Sequence, residues 1–458
     1  MDQPVAVTSL ADFDAVFGGP WTESPLGPAV HDYFRQGGGL AVIVRAHTSR
    51  EGDTATLSFG DVGDDRLVLR ASAPGTWANR LTARLDEDGG LSVSDTATGH
   101  RESFPELSLV VVDVRPERLP AAQAATLTPA TNDGDPPDVG AYRRALGALR
   151  RVDVINLLVL PGAVEPDVVA EGIAFAEVRP AVYLVDPPTG WTTTAEAVAG
   201  AGSPGFPRSP NAAVYFPGIR EPGPRRPASG AVAGVIARTD ATRGVWTSPA
   251  GLEAELDGVV ELDLALDDRD GGRLNALGVN CLRSFHGTGP VVWGARTTSP
   301  EWKYLSVLRT SLYLQESIDR GTRWARFEPN DEALRARIRD DVSAFLDDLR
   351  RRGAFAAGTT PHDAFFVKCD ADTTTPEDVD RGVVNLVVGF APLKRAEFVT
   401  IQLRQLAGQD GGARAPGPPS TPGAALKPEP VPEQEEGAEE DRPGGDGAEA
   451  AVAPGQGE

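Results

Sequence analysis

Lysine is nearly missing from this 458-residue chain: Lys303, Lys368, Lys394 and Lys427 are the only ones, and arginine carries the rest of the positive charge. Lys plus Arg total 44 against 66 Asp plus Glu, a net charge of -22. Phosphate backbones are held by clustered positive charge, so this balance argues against nucleic acid as a partner. The arginine preference reads as the mark of a GC-rich genome more than as a need for bidentate pairing. Histidine is confined to His31, His47, His100, His286 and His362, so the stretch from Arg101 to Phe285 has no imidazole. It has no lysine either, which removes the usual substitute as a general base. The two cysteines, Cys281 and Cys369, sit in apolar or strand-like settings that suit a reducing compartment. No apolar run approaches the roughly 18 residues of a membrane span, and residues 1–20 have neither the basic start nor the apolar core of a secretory signal. The expectation is a cytosolic, soluble chain with room for about two or three domains.

Hydrophobic periodicity divides that chain. Residues 1–50 form an N-terminal α/β segment packed on the core: a short strand at Pro4–Val7, a helix Leu10–Phe17 capped by Ser9, a helical face at Val30–Phe34, and a buried strand Leu40–Arg45. Gly37-Gly-Gly39 precedes that last strand instead of linking strand to helix, and no Gly-Lys-Ser/Thr occurs anywhere, so it reads as a turn and not a phosphate loop. Residues 51–130 alternate apolar and polar in short runs with turns at Asp64-Asp65 and Gly89-Gly90, an antiparallel β domain. Trp77, beside Asn79 and Arg80, reads as a packed turn, with a ligand platform as the rarer alternative. Residues 116–137 read as a Pro/Ala/Thr-rich linker.

Residues 131–270 alternate helix and strand, with buried strands at Val152–Leu160, Ala181–Val185 and Ala212–Phe216, which implies a parallel sheet covered on both faces. Residues 271–406 form a small α+β domain. Ser299 is its first helix cap with Pro300 at the first helical position, and a second helix starts near Asn330. Leu334, Ile338, Val342, Phe345 and Leu349 give that second helix one apolar face. Its sheet is expected to combine Val291–Gly294, Phe365–Lys368, Asn385–Gly389 and a final strand. Residues 407–458 hold 11 acidic side chains against 3 basic ones among frequent Pro and Gly, a disordered tail by composition.

Several phrases of the last folded stretch stand in an order that resembles the C-terminal domain of contractile tail sheath proteins of phages and phage-tail-like injection systems. They are Asn280–Arg296 (Asn-Cys-Leu-Arg-Ser-Phe-His-Gly-Thr-Gly-Pro-Val-Val-Trp-Gly-Ala-Arg), Ser299-Pro-Glu-Trp302, Phe327-Glu-Pro-Asn-Asp331, Ala364–Asp370 and Glu397–Leu403. The resemblance covers residues 4–405, strongest over 274–405 and weakest over 80–135. It implies a subtilisin-like parallel α/β middle domain, a structural role, and no cofactor. It also implies that the terminal strand Glu397, Phe398, Val399, Thr400, Ile401, Gln402 and Leu403 is exchanged with a neighbouring copy, as terminal segments are in that family. The implied partners are other copies in a helical homo-oligomer, an inner tube protein, and baseplate and cap proteins, with assembly in the bacterial cytoplasm. Arg335, Arg339, Arg350, Arg351 and Arg352 are candidate contacts to the tube or to a neighbour. The chain departs from the family by starting almost on its first strand, without the usual N-terminal arm, and by its acidic tail. A non-contracting cap, collar or baseplate-proximal relative is the alternative that the missing arm favours.

A hydrolase is the alternative of another class, because a subtilisin-like site needs a serine, a base and an orienting acid. Asp186 ends a strand where such sheets carry active sites, but no imidazole is available. Ser229-Gly-Ala-Val-Ala-Gly234 resembles the segment after the subtilisin nucleophile, and in that alignment the nucleophile position falls on Arg226. A carboxylate acting on Ser209, Ser229 or Ser248 is the remaining option. No His/Cys pair has metal-ligand spacing, Cys281 and His286 included. The acidic run Asp370, Asp372, Glu377, Asp378 and Asp380 lacks the glycine and ligand order of a calcium loop. The expectation is no catalytic residue and no metal.

Overall fold

The computed structural model describes residues 3–407 apart from 18–23, 61–65, 98, 106, 108, 115–118, 221–224, 357–359 and 394–398. The turn expected at Asp64-Asp65, the acidic tail from 408 onward, and Glu397 and Phe398 of the terminal strand lie outside the described residues. What is described is a mixed α/β protein of several sheets. No described helix is long and apolar enough to cross a membrane.

The N-terminal segment pairs β1 (Val5–Val7) antiparallel with β2 (Ala41–Ile43), around α1 (Leu10–Phe17) and α2 (Leu26–Arg35). Val7, Phe13, Val30 and Ile43 form its small core. The expected buried strand from Leu40 is shorter and only half-buried, with Leu40 itself 59% exposed, because a two-stranded ribbon shields one side alone. Gly37 ends α2 at φ +97, a conformation that explains the glycine without a phosphate.

Eight strands then build a sandwich: β3 (Thr56–Phe59), β4 (Leu67–Ala71), β5 (Leu81–Leu85), β6 (Leu91–Asp95), β7 (Arg101–Ser103), β8 (Val110–Val114), β9 (Gln123–Ala124) and β10 (Thr126–Thr128). Their orders are β10-β3-β4-β8 and β7-β6-β5-β9, and Leu57, Phe59, Leu69, Leu81, Leu85 and Val93 meet between the two sheets. The presumed linker 116–137 therefore supplies two edge strands. They are short and exposed, so main-chain bonding and not periodicity creates them. Trp77 is a packed turn: its indole donates to the Ala73 and Pro74 carbonyls, both at 3.2 Å, while Asn79 exchanges two bonds with the Ala130 backbone.

The middle of the chain is α3 (Val139–Leu149), β11 (Leu157–Val159), α4 (Pro166–Val178), β12 (Val182–Val185), α5 (Thr194–Ala201), β13 (Ala212–Phe216), β14 (Ile219–Arg220), α6 (Ser229–Arg243), β15 (Glu261–Leu262), α7 (Asp268–Ala276), β16 (Val279–Phe285) and β17 (Gly289–Val292). Asp138 caps α3 by accepting from the Ala141 amide at 2.7 Å, and Thr193 with Glu196 closes a capping box on α5. The sheet order is β11-β12-β13-β16-β17, parallel except for β17. Every residue of β12 and β13 is buried, as expected for strands covered on both faces. The strand expected from Val152 begins only at Leu157. The strand around Val291, expected in the C-terminal sheet, instead finishes this one, because β16 turns back at Gly287 and pairs with it.

The last part contains α8 (Leu305–Gly321), a 3-10 turn (Arg323–Phe327), α9 (Glu332–Arg351), α10 (Pro361–Ala364), β18 (Phe365–Lys368), α11 (Pro376–Asp380), β19 (Val383–Phe390) and β20 (Val399–Leu406). Ser299 caps a turn only, accepting from the Glu301 and Trp302 amides at 3.2 and 3.3 Å, and α8 starts six residues later once Leu305 donates to the Ala295 carbonyl. Asp331 is the cap of α9, accepting from the Leu334 amide at 2.9 Å. Leu305 and Leu308 of α8 lie in the core beneath the parallel sheet, whereas Leu314 and Ile318 lie in the core of the C-terminal sheet. One helix therefore belongs to both.

Helices α2 and α6 pack unusually close. A Cβ at Gly230 would stand 2.4 Å from the Ala29 carbonyl oxygen, and one at Gly234 2.4 Å from that of Tyr33. The small-residue phrase after the supposed nucleophile thus serves helix packing. Gly230→Ala and Gly234→Ala should each destabilise by about 2 kcal/mol, although alanine is the better helix former by about 1 kcal/mol. Gly271→Ala in α7, where nothing lies within 4 Å, should stabilise by about 0.5–1 kcal/mol. Urea unfolding of the three variants checks the opposite signs.

Candidate assembly site

Two places merit attention as functional sites: the C-terminal ends of the parallel strands, and the edge of the C-terminal sheet. The first is sealed. Asp186, just past β12, is 3% exposed and accepts from the Gly162 amide at 2.8 Å. Burial pushes its carboxyl up to about 6, against the lowering effect of the Gly162 amide and of Ser229 at the start of α6. The structure does bring Asp186 near Ser229, yet Ser229 is also 3% exposed, so no substrate reaches the pair. Ser209 donates to Glu177 Oε1 at 2.7 Å and is 2% exposed. Ser248 lines an open cavity beside α6. Arg226, where the alignment put a nucleophile, clamps α2 through a bidentate bond to buried Asp32 at 2.9 and 2.7 Å. Asp263, paired with Arg220 and Arg225, closes the same end of the sheet.

No group of three His, Cys, Asp or Glu able to hold an ion occurs among the described residues. Asp370 and Asp378 spend their oxygens on backbone amides of Asp372, Thr373 and Thr375. Burial pushes the Cys281 thiol up to about 12 and that of Cys369 to about 11, so neither forms a thiolate ligand readily.

The C-terminal sheet has the order β18-β19-β20. β20 pairs along its whole length with β19, from Val399↔Phe390 to Leu406↔Val383. Ile401, Leu403 and Gln405 face inward and Thr400, Gln402 and Arg404 outward, the alternation expected from the sequence. Gln405 donates to Asp319 Oδ1 at 3.1 Å, tying the end of β20 to the end of α8. Among the described residues no strand pairs with the far side of β20, so Val399, Thr400, Ile401, Gln402 and Leu403 sit on an edge.

The five arginines singled out on α9 and at its C-terminal cap all have partners within the chain. Arg335 bonds Glu332 and Asn330, both at 3.2 Å, and Arg339 reaches the Cys369 carbonyl. Arg350 and Arg351 share Asp347 at 2.9 and 2.7 Å and hold its carboxyl below the usual range. Arg352 lies 5.4 Å over the Trp246 ring. Sequence reasoning missed Arg309, which is 4% exposed within α8 and grips Asp240 of α6 with both nitrogens. Its one signal was a cation interrupting an apolar stripe.

Comparison with known proteins follows this division. The family model for the phage tail sheath protein central domain matches residues 139–298, and that for the phage tail sheath C-terminal domain matches 297–405. Together they run without a gap over more than half of the chain. A Pseudomonas aeruginosa protein described as a prophage major tail sheath protein is 27% identical over 374 residues, covering 75% of this chain and 93% of the relative. The tail sheath protein of Vibrio phage KVP40 is 27% identical over 179 residues, which are 38% of this chain and only 26% of that larger protein. Among solved structures, a Listeria innocua sheath tail protein aligns with TM-score 0.64 at 13% identity, over 88% of this chain and 92% of its own. The contracted sheath complex of the extracellular contractile injection system PVC aligns with TM-score 0.57 at 24% identity, over 90% and 87%. At such identities these two support the fold alone.

Asp186 generates a test. Its folded value of about 6 lies above the 3.8 of an unfolded aspartate, so it contributes stability at low pH that is lost as pH rises from about 4 to 6. Asp186→Asn should recover up to about 3 kcal/mol at pH 7.5 and flatten that pH dependence. Thermal unfolding from pH 4.5 to 7.5 measures both; a variant curve parallel to the native one would refute the assignment.

Proposed function

We propose, from the premise that this chain belongs to the phage tail sheath protein family, that it is a structural subunit of a contractile sheath. Copies stack around an inner tube between a baseplate and a cap, and their repacking into a shorter, wider form drives the tube through a target envelope. The consecutive match to both sheath domains, with 93% of the prophage relative covered, is the observation that carries this reading. Assembly takes place in the bacterial cytoplasm, and catalysis has no part in it. The middle domain is a subtilisin-like frame without its triad.

The link between copies is the edge of the C-terminal sheet, with Glu397–Leu403 donated to an adjoining protomer. A ladder made in trans repeats the bonds made in cis, so exchange costs little per residue and the balance is set by ordering entropy and effective concentration. The sequence spacing between β19 and β20 supports this, since residues 391–398 separate them where a common hairpin uses about two to five loop residues. Donation from each copy to the next is heterologous and does not close, which generates a helix of subunits. The free energy of contraction comes from new lateral contacts in a metastable assembly, without nucleotide.

Deleting the terminal strand is a poor test, since Ile401, Leu403 and Ala407 belong to the monomer's own core. A reversible lock is better. Val387 and Gln402 face each other across β19 and β20, so Val387→Cys with Gln402→Cys can be oxidised to hold the strand in its own sheet. Electron microscopy should show tubes when the pair is reduced and dispersed subunits when it is oxidised. Tubes under both conditions would rule out donation.

A further inference from the structure

Phe327 is the most exposed large apolar side chain described, at 76%. It does not hang on a loose loop. Thr322 and Ala325 beneath it are buried, Trp324 stacks under Arg337 at 4.0 Å, Glu328 faces Arg337 at 3.8 Å, and Asn330 donates to the Val383 carbonyl at 3.0 Å. A firmly mounted ring standing in water gains nothing inside its own protomer. Its sequence neighbours Arg326 and Glu328 are exposed as well, so the tip presents a cation, a ring and an anion in that order.

A receptor of matching pattern exists elsewhere on the same chain. Between the C-terminal half of α6 and residues 248–254 lies an open cavity of about 300 Å³, walled by Thr239, Thr242, Ala250 and Ala254. Arg243 and Glu253 pair across its rim, with side chains 50% and 72% exposed. Ser248 and Arg238 complete the wall, and because the Arg238 guanidinium is held by the Gln36 and Glu255 carbonyls, the exposed Arg243–Glu253 pair is the one open to exchange. An aromatic ring entering a pocket rimmed by exchangeable charges is the usual form of an interface hot spot, and the guanidinium adds attraction to the ring face.

We infer that Phe327 of one copy seats in this α6 cavity of an adjoining copy, with Arg326 pairing to Glu253 and Glu328 to Arg243. The partner is a second copy of this chain, because the exposed tip carries an anion and a cation beside the ring, the complements of the Arg243 and Glu253 side chains at the cavity. Knob and socket lie on different elements, so one copy can offer its ring to a second while its own cavity receives a third, and such a head-to-tail contact propagates. The inference deepens the sheath reading and rests on it.

Sedimentation of the full-length chain over a concentration series tests it. Phe327→Ala should raise the concentration of half-assembly about tenfold or more, with circular dichroism unchanged. Glu253→Arg should do the same, and Arg326→Glu added to Glu253→Arg should restore assembly towards the native midpoint. Native-like assembly of Phe327→Ala, or no recovery in the double variant, would overturn the knob and socket while leaving the sheath reading intact. A native chain that never self-associates would overturn both.

Discussion

One helix holds the two assembly-relevant halves of this molecule in a fixed relation. The 17 residues of α8 span about 25 Å, and its first half lies under the parallel sheet while its second lies under the C-terminal sheet. Leu305, Leu308, Leu314 and Ile318 each contribute about 2 kcal/mol by burial. Arg309, buried between them, holds Asp240 of α6. Breaking such a pair leaves an unpaired buried charge, a penalty of about 3–5 kcal/mol. Exposed ion pairs contribute about 0–1 kcal/mol by comparison. In the proposed assembly, contacts between copies therefore give way before the joint between the two sheets does.

The same economy governs the parallel sheet. Its strand ends are where enzymes of similar topology keep their chemistry, but here Asp186, Arg226 and Asp263 at that end serve the scaffold. Asp186 accepts the Gly162 amide, Arg226 holds α2 through Asp32, and Asp263 gathers Arg220 and Arg225. The glycines of α6 let α2 approach until a single methyl group would collide with its backbone. A crevice filled by helices and internal ion pairs gives stiffness at the cost of access.

The C-terminal sheet is the complement of that rigid body. Its order leaves an edge at β20, and an edge strand presents unpaired main-chain groups that another chain can satisfy. The arginines of α9 do not add a field of free charge there. Arg350 and Arg351 share one carboxylate and Arg335 is held by Glu332 and Asn330. Because such surface pairs are weak, they can be exchanged for contacts to a neighbour with little net change. In the proposed assembly, recognition rests on the ladder and on apolar anchors such as Phe327.

Much of this was readable from residue order. Alternation in Val399–Gln405, the spaced leucines of α9, the all-apolar runs of β12 and β13, and the absence of histidine between Arg101 and Phe285 each follow from local pattern, and the last argued against a hydrolase, while the ordered phrases from Asn280 to Leu403 carried the resemblance to the family. Other features required the folded chain. β9 and β10 exist because exposed backbone meets an open sheet edge, β17 joins the parallel sheet because β16 turns back on itself, and α8 starts at Leu305 because a carbonyl from Ala295 meets its amide. The burial of Arg309, the exposure of Phe327 and the collision distance at Gly230 depend on residues far apart in the chain. Periodicity within one segment sets which face turns inward; only the packing of segments against one another decides what that face meets.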